Sequence, residues 1–282
     1  MTLDPEPGHE EEHDDHGGLR RDIPALVVRR DMLRMMGGLS LAGLLAACDV
    51  GGSAATSSSS PSSSTTTGSS SSTIEATAGE EIPDETAGPY PADGSNGPNV
   101  LGDEGIVRSE LVSSFGESSG VADGIPIAFN LSLVEAATGS AIPGAVVYLW
   151  HCTADGRYSL YEIEDENFLR GVQVADDAGR ISVTSIFPGG YAGRWPHAHF
   201  EVYSSLEEAA AGSSVIKVSQ LALPQADCEA VFADSRYGNS AQNLSQLSLD
   251  TDNVFSDGWT DQLATLSGSA NDGYTASLLV RV

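Results

Sequence analysis

Residues 176–203 read DDAGRISVTSIFPGGYAGRWPHAHFEVY, two short apolar runs separated by a proline-glycine-glycine break. Each run has the length and the Val, Ile and aromatic content of a strand, and the break between them cannot continue either one, so strand, loop, strand is the reading. Upstream, residues 125–152, IPIAFNLSLVEAATGSAIPGAVVYLWHC, repeat the pattern. There the phrase Gly139-Ser140-Ala141-Ile142-Pro143-Gly144 carries turn residues at both ends, which predicts an antiparallel strand on each side of it. Downstream, Ser205 to Ala211, SLEEAAA, is a helix stopped by Gly212. Thirty-one glycines and thirteen prolines agree with a turn-rich β protein. The expected fold class is mostly β: an antiparallel β-sandwich with long loops and few short helices.

Only part of the 282-residue chain has the composition of a core. Residues 1–48 begin with an acidic leader, MTLDPEPGHEEEHDDHGG, followed by Arg29 and Arg30 ahead of a moderately apolar run too short for a comfortable membrane span. That is the pattern of a twin-arginine export signal. The run ends in Leu45-Ala46-Ala47-Cys48, which is similar to the lipobox of bacterial lipoproteins, so a lipid anchor at Cys48 is expected to be the one membrane attachment. Residues 49–75 are nearly all Ser, Thr, Gly and Ala, a flexible linker that would hold the domain on the order of 25 Å from its anchor, or a glycosylated stalk. Residues 76–282 are the folded domain. The formal net charge of −27 and the single lysine, Lys217, exclude a nucleic-acid binder, because phosphate contacts need clustered cations.

The chemistry-bearing residues gather in the strand-like stretches. His197 and His199 are two apart in HAHFEVY, so they share one strand face and both imidazoles can reach one metal ion. Tyr191 stands six residues upstream in the glycine-rich turn, with Arg194 between, and Tyr158 follows a second turn, Asp155-Gly156-Arg157. Each feature alone has a plainer structural meaning. Together, GRYSLY followed by FPGGYAGRWPHAHFEVY resembles the intradiol ring-cleavage dioxygenases, the family of catechol and protocatechuate dioxygenases. Glu85-Thr86-Ala87-Gly88-Pro89-Tyr90 is similar to the segment that opens the catalytic domain in that family.

The resemblance implies a non-haem Fe(III) centre with Tyr158, Tyr191, His197 and His199 as its ligands, set among long active-site loops. It implies a small aromatic diol and O2 as substrates, with Tyr191 leaving the metal and accepting a substrate proton. It further implies Arg194 as the cation stabilising charge on the reacting ring and Gln220 as a pocket residue. Phenolate and imidazole are harder donors than thiolate and suit ferric iron, which fits independently of the family. No long helix of the kind that links catechol dioxygenase dimers is evident, so a homo-oligomer is left open. Cys152 and Cys228, an even pair in an exported chain, are expected to form a disulfide. Two other readings stand beside this one: His151, His197 and His199 on a zinc ion, and a non-catalytic surface lipoprotein that binds polymer.

Overall fold

The computed structural model describes residues 76–282, which fold into two four-stranded sheets packed face to face. The stretches expected to be an export signal and a linker, with Cys48, lie outside the described residues. One sheet has the order β4-β1-β8-β7, built from β1 (Pro126–Val134), β4 (Arg180–Ile186), β7 (Thr265–Ser269) and β8 (Gly273–Arg281). The other has the order β3-β2-β5-β6, from β2 (Val146–Trp150), β3 (Arg170–Val174), β5 (His197–Tyr203) and β6 (Lys217–Ala222).

The two sheets differ in how they meet water, and that difference places the site. In β1, Ile127, Phe129, Leu131 and Leu133 point into the sandwich, while the residues between them are only partly covered. This is the alternation of a sheet with one wet face. By contrast, β2 and β5 are buried at every position. Val147, Leu149, Ala198, Phe200 and Val202 face the sandwich core. Val146, Tyr148, Trp150 and Tyr203 belong to a second apolar cluster, which they share with Ala92, Val100, Leu101 and Ile106 of the N-terminal segment. Loops therefore roof the outer face of the second sheet, and a smaller core lies beneath them.

That roof is fastened at both ends. Lys217, almost fully buried at the start of β6, pairs with the exposed carboxylates of Glu81 and Asp84 at 2.9 and 3.2 Å. Farther along, Ser219 donates to the carbonyl of Pro83 and Gln220 to that of Thr86. Arg170, with no exposure, donates to the carbonyls of Tyr90, Pro91 and Ser159 and to the hydroxyls of Ser159 and Tyr148. A buried guanidinium persists only when its donors are occupied, and here they tie two loops to β2.

The mostly β sandwich with few short helices is as expected, with three differences. First, β1 and β2 do not form a hairpin. β1 is already flanked by β4 and β8, so it has no free edge for β2, and the Gly139 to Gly144 turn carries the chain into the other sheet. Gly139 and Gly144 both have φ of +75°, as turn glycines do, but turn chemistry does not choose the partner. Second, the β1–β8 pair is parallel, so the first sheet is mixed. Third, Cys152 and Cys228 are free thiols. Cys228 packs into the sandwich core and Cys152 into the outer one, so no disulfide joins them.

Helix α1 (Leu206–Ala210) falls where the sequence places it, with the Ser205 hydroxyl accepting from the N–H of Glu208 at 3.2 Å. Two further short helices follow β6, α2 (Gln225–Val231) and α3 (Ser240–Leu244).

Candidate metal centre

Tyr158 is delivered by the loop that leaves β2. Thr153 closes this loop on itself: its N–H donates to the carbonyl of Arg157, and its hydroxyl accepts from the Arg157 N–H. Gly156 sits at φ +88°, and a Cβ there would lie 3.1 Å from the Cβ of Tyr191. Glycine is what lets the two tyrosine loops approach. Tyr191 is held from the other side, where the Gly190 N–H donates to the Ser240 hydroxyl and Asn243 donates to the Gly190 carbonyl, both from α3.

His197 and His199 lie on the roofed face of β5, between β2 and β6; His199 is opposite Trp150 in one neighbour and Gln220 in the other. The Nδ1–H of His197 donates to the carbonyl of Trp195, which leaves Nε2 free to face inward. His199 is set differently. Its ring stacks flat on Trp150, 5° from parallel and 4.9 Å between centroids, and its buried Nδ1 has no partner.

Four donor atoms then meet. The Tyr158 hydroxyl is 3.4 Å from that of Tyr191 and 3.3 Å from Nε2 of His199, the Tyr191 hydroxyl is 3.2 Å from Nε2 of His197, and the two Nε2 atoms are 3.0 Å apart. Separations of this size are those of donors that share one ion at metal–nitrogen and metal–oxygen bond lengths of about 2.0 to 2.2 Å. Two phenols and two imidazoles fit a hard, oxidised ion such as Fe(III) better than a soft one.

Electrostatics agree. Burial, with the Arg194 charge nearby, lowers His197 to about 3, and burial with His197 lowers His199 well below the ordinary imidazole value. Both imidazoles are therefore neutral, the state that donates a lone pair. Burial, reinforced by Tyr191, raises Tyr158 well above the ordinary phenol value; burial raises Tyr191 to about 12 against the pull of Arg194. Without a cation both phenols keep their protons, so metal loading must release them and must strengthen as pH rises.

Arg194 stands beside the four donors and outside them. Its Nε donates to Asp252 at 3.0 Å and its Nη2 to the Gln220 side-chain oxygen at 2.6 Å, with the Phe255 ring 5.8 Å away. Gln220 is fully buried and anchors in turn to Thr86. The Thr86 to Tyr90 segment crosses the site directly. A Cβ on Gly88, at φ +72°, would lie 3.2 Å from the His199 ring, and Tyr90 packs on Tyr158 at 4.9 Å.

All six residues singled out in the sequence thus come together, and His151 does not join them. Its Nδ1 faces the Cys152 carbonyl and its Nε2 the Ser185 hydroxyl, each at 2.7 Å, so both nitrogens are engaged elsewhere. Among the described residues no group of three or more His, Cys, Asp or Glu converges as a metal site. A three-histidine zinc site is not built here. Sequence reasoning missed Trp150 as the platform for His199, and Asp252. Asp252 does carry a local signal, since its Oδ1 accepts from the N–H groups of Val254 and Phe255 in helix-capping fashion. Nothing in that signal points to an arginine 58 residues away.

Residues 106–211 match the family model described as Dioxygenase. A catechol 1,2-dioxygenase from a Pseudomonas strain is 39% identical over 54 residues, which is 19% of this chain and 18% of that protein. The chain therefore matches less than a fifth of that relative's length. An intradiol ring-cleavage dioxygenase from Tetranychus urticae has a similar fold, with 24% identity, a TM-score of 0.56, and coverage of 72% of this chain and 94% of that one. A second solved dioxygenase overlays with 22% identity, a TM-score of 0.57 and the same coverage.

Proposed function

We propose, for a chain that belongs to the intradiol ring-cleavage dioxygenase family, that it opens the ring of a catechol-type substrate between the two hydroxylated carbons, using O2 and non-haem Fe(III). The carbon–carbon bond breaks, and both atoms of O2 end in the two carboxylates of a muconate-type product. The observation that carries this reading is the convergence of two phenols and two imidazoles, each donor atom within 3.4 Å of two of the others, with a fixed cation alongside. Tyr158, Tyr191, His197 and His199 are the residues that would hold the iron. Ferric iron, when bound there, would supply the Lewis acidity that makes a catecholate reactive toward O2.

The chain's own residues divide the remaining work. Tyr158 is almost fully buried, whereas Tyr191 is partly exposed, so Tyr191 is the phenolate that can swing clear as substrate arrives. Freed from a cation, its phenolate oxygen is the base at hand to accept a substrate hydroxyl proton. Arg194 keeps Nη1 without a protein partner among the described residues, and that edge of the guanidinium is available to charge developing on the ring.

Four of the other cations among the described residues are already engaged, which leaves few candidates for gripping a substrate carboxylate. Arg157 pairs with Asp155, Arg236 with Asp234 and Asp123, Lys217 with Glu81 and Asp84, and Arg170 is buried in the loops. A neutral catechol or a lignin-like fragment is therefore the favoured substrate class. The test is metal analysis, visible absorption and a catechol panel on the purified chain. About one iron per chain, phenolate-to-iron absorption in the visible and muconate formation are expected. Zinc without iron, and no turnover, would overturn the reading.

The address is a separate proposal. With Arg29–Arg30 as export signal and Cys48 acylated, the protein should fractionate with membranes, and Cys48→Ala should release it, because one acyl anchor is the attachment on offer. Wild-type protein recovered unmodified from culture medium would refute the anchor.

A further inference from the structure

An arginine that must meet charge at one point on a ring needs a fixed orientation, and its own flexible side chain does not supply one. We infer that Asp252 is the positioning residue that holds Arg194 in its working orientation, so that the loop around residues 248–257 is part of the site. The inference rests on the role proposed for Arg194 above.

Asp252 has no exposure. Its Oδ2 accepts from Arg194 Nε at 3.0 Å and from the Trp195 N–H at 2.7 Å, and its Oδ1 accepts from the N–H groups of Val254 and Phe255 at 2.8 and 3.1 Å. Two donors on each oxygen use the full capacity of the carboxylate and leave it one orientation. One of those donors is the backbone of Trp195, the residue next to Arg194, so the loop grips the arginine by main chain and side chain together. Gln220 fixes the second point, Nη2, and is itself held by Thr86. A planar guanidinium pinned at Nε and Nη2 cannot rotate, and its third nitrogen is the one left over.

Charge gives Asp252 a task that Gln220 cannot share. Arg194 is 12% exposed and stands beside a site meant for a cation, so without a countercharge it would be repelled outward. The carboxylate neutralises it where the neutral amide of Gln220 does not.

The test compares the unmodified full chain, Asp252→Asn, Arg194→Ala and the double variant. Asp252→Asn is expected to keep its iron, its visible band and its affinity for 4-nitrocatechol, read by optical titration, while kcat falls about 10- to 100-fold, the usual cost of losing a residue that orients a functional group. The double variant should be no slower than Arg194→Ala, because a positioning residue has nothing left to position. Phenylglyoxal should label Arg194 faster in Asp252→Asn than in the unmodified chain, read by peptide mass spectrometry. A folded Asp252→Asn with kcat within about threefold of the parent, or losses that simply multiply in the double variant, would overturn the inference. Should Asp252→Asn fail to fold, Asp252→Glu keeps the charge but displaces the guanidinium, and the same pattern at smaller amplitude is expected. If the unmodified chain turns over no catechol at all, the functional reading fails. The labelling then decides alone, and equal reactivity of Arg194 in both proteins sinks the role of Asp252.

Discussion

Arg194→Ala is expected to lose about 10²- to 10³-fold in turnover, the usual cost of removing one preorganised electrostatic partner, while keeping iron, colour and the spectral change on substrate binding. The separation of effects follows from geometry. Arg194 touches none of the four donor atoms; it bonds to Asp252 and Gln220 beside them. Its loss leaves Tyr158, Tyr191, His197 and His199 in place. It also leaves the buried Asp252 carboxylate with three backbone N–H partners in place of a cation, which weakens folding without exposing the core. Burial pushes Asp252 up, but Arg194 and those N–H groups outweigh it and hold it below the ordinary carboxylate value. Part of its stabilising contribution is thus present near neutral pH and is lost on acidification through that lowered value. Arg194→Lys should recover only part of the turnover, since an ammonium cannot occupy the Asp252 and Gln220 positions as a planar fork does. Steady-state kinetics with parallel iron analysis reads the result, and a loss of only a few-fold would make the arginine structural.

His199→Ala should go further, losing the metal, the colour and turnover together, a larger effect than the roughly 10²- to 10³-fold cost of a lost electrostatic donor. His199 contacts two of the other three donors, Tyr158 and His197, so its removal opens one side of the set. It also leaves a hole between the Trp150 ring and the backbone at Gly88. The sheet should survive, because β5 is laddered to β2 and β6 along its length. Iron content and visible absorption of the folded variant measure the outcome. Tyr191→Phe is the control, expected to shift and weaken the colour while retaining part of the iron, because Tyr191 is the partly exposed member. Full iron loading in His199→Ala would show that the ion sits elsewhere.

The sequence alone determined the local elements and the chemical inventory. Apolar runs bounded by glycine and proline define the strands, and Ser205 with Gly212 brackets the one helix it foresaw, because these signals act within a few residues. The six candidate residues could be singled out by family resemblance, helped by four of them lying within nine positions of one another and by Tyr158 repeating the same glycine-turn-tyrosine arrangement. What lay beyond it was every choice between distant partners. Nothing near Gly139 to Gly144 says that β1 is already flanked by β4 and β8, and nothing beside Cys152 says that Cys228 faces the opposite core. Asp252 reads locally as a cap, yet packing sets its second oxygen against Arg194. Propensity and turn chemistry are properties of a short segment, whereas pairing, burial and the countercharge of a buried cation are decided by which surfaces the whole chain can cover at once.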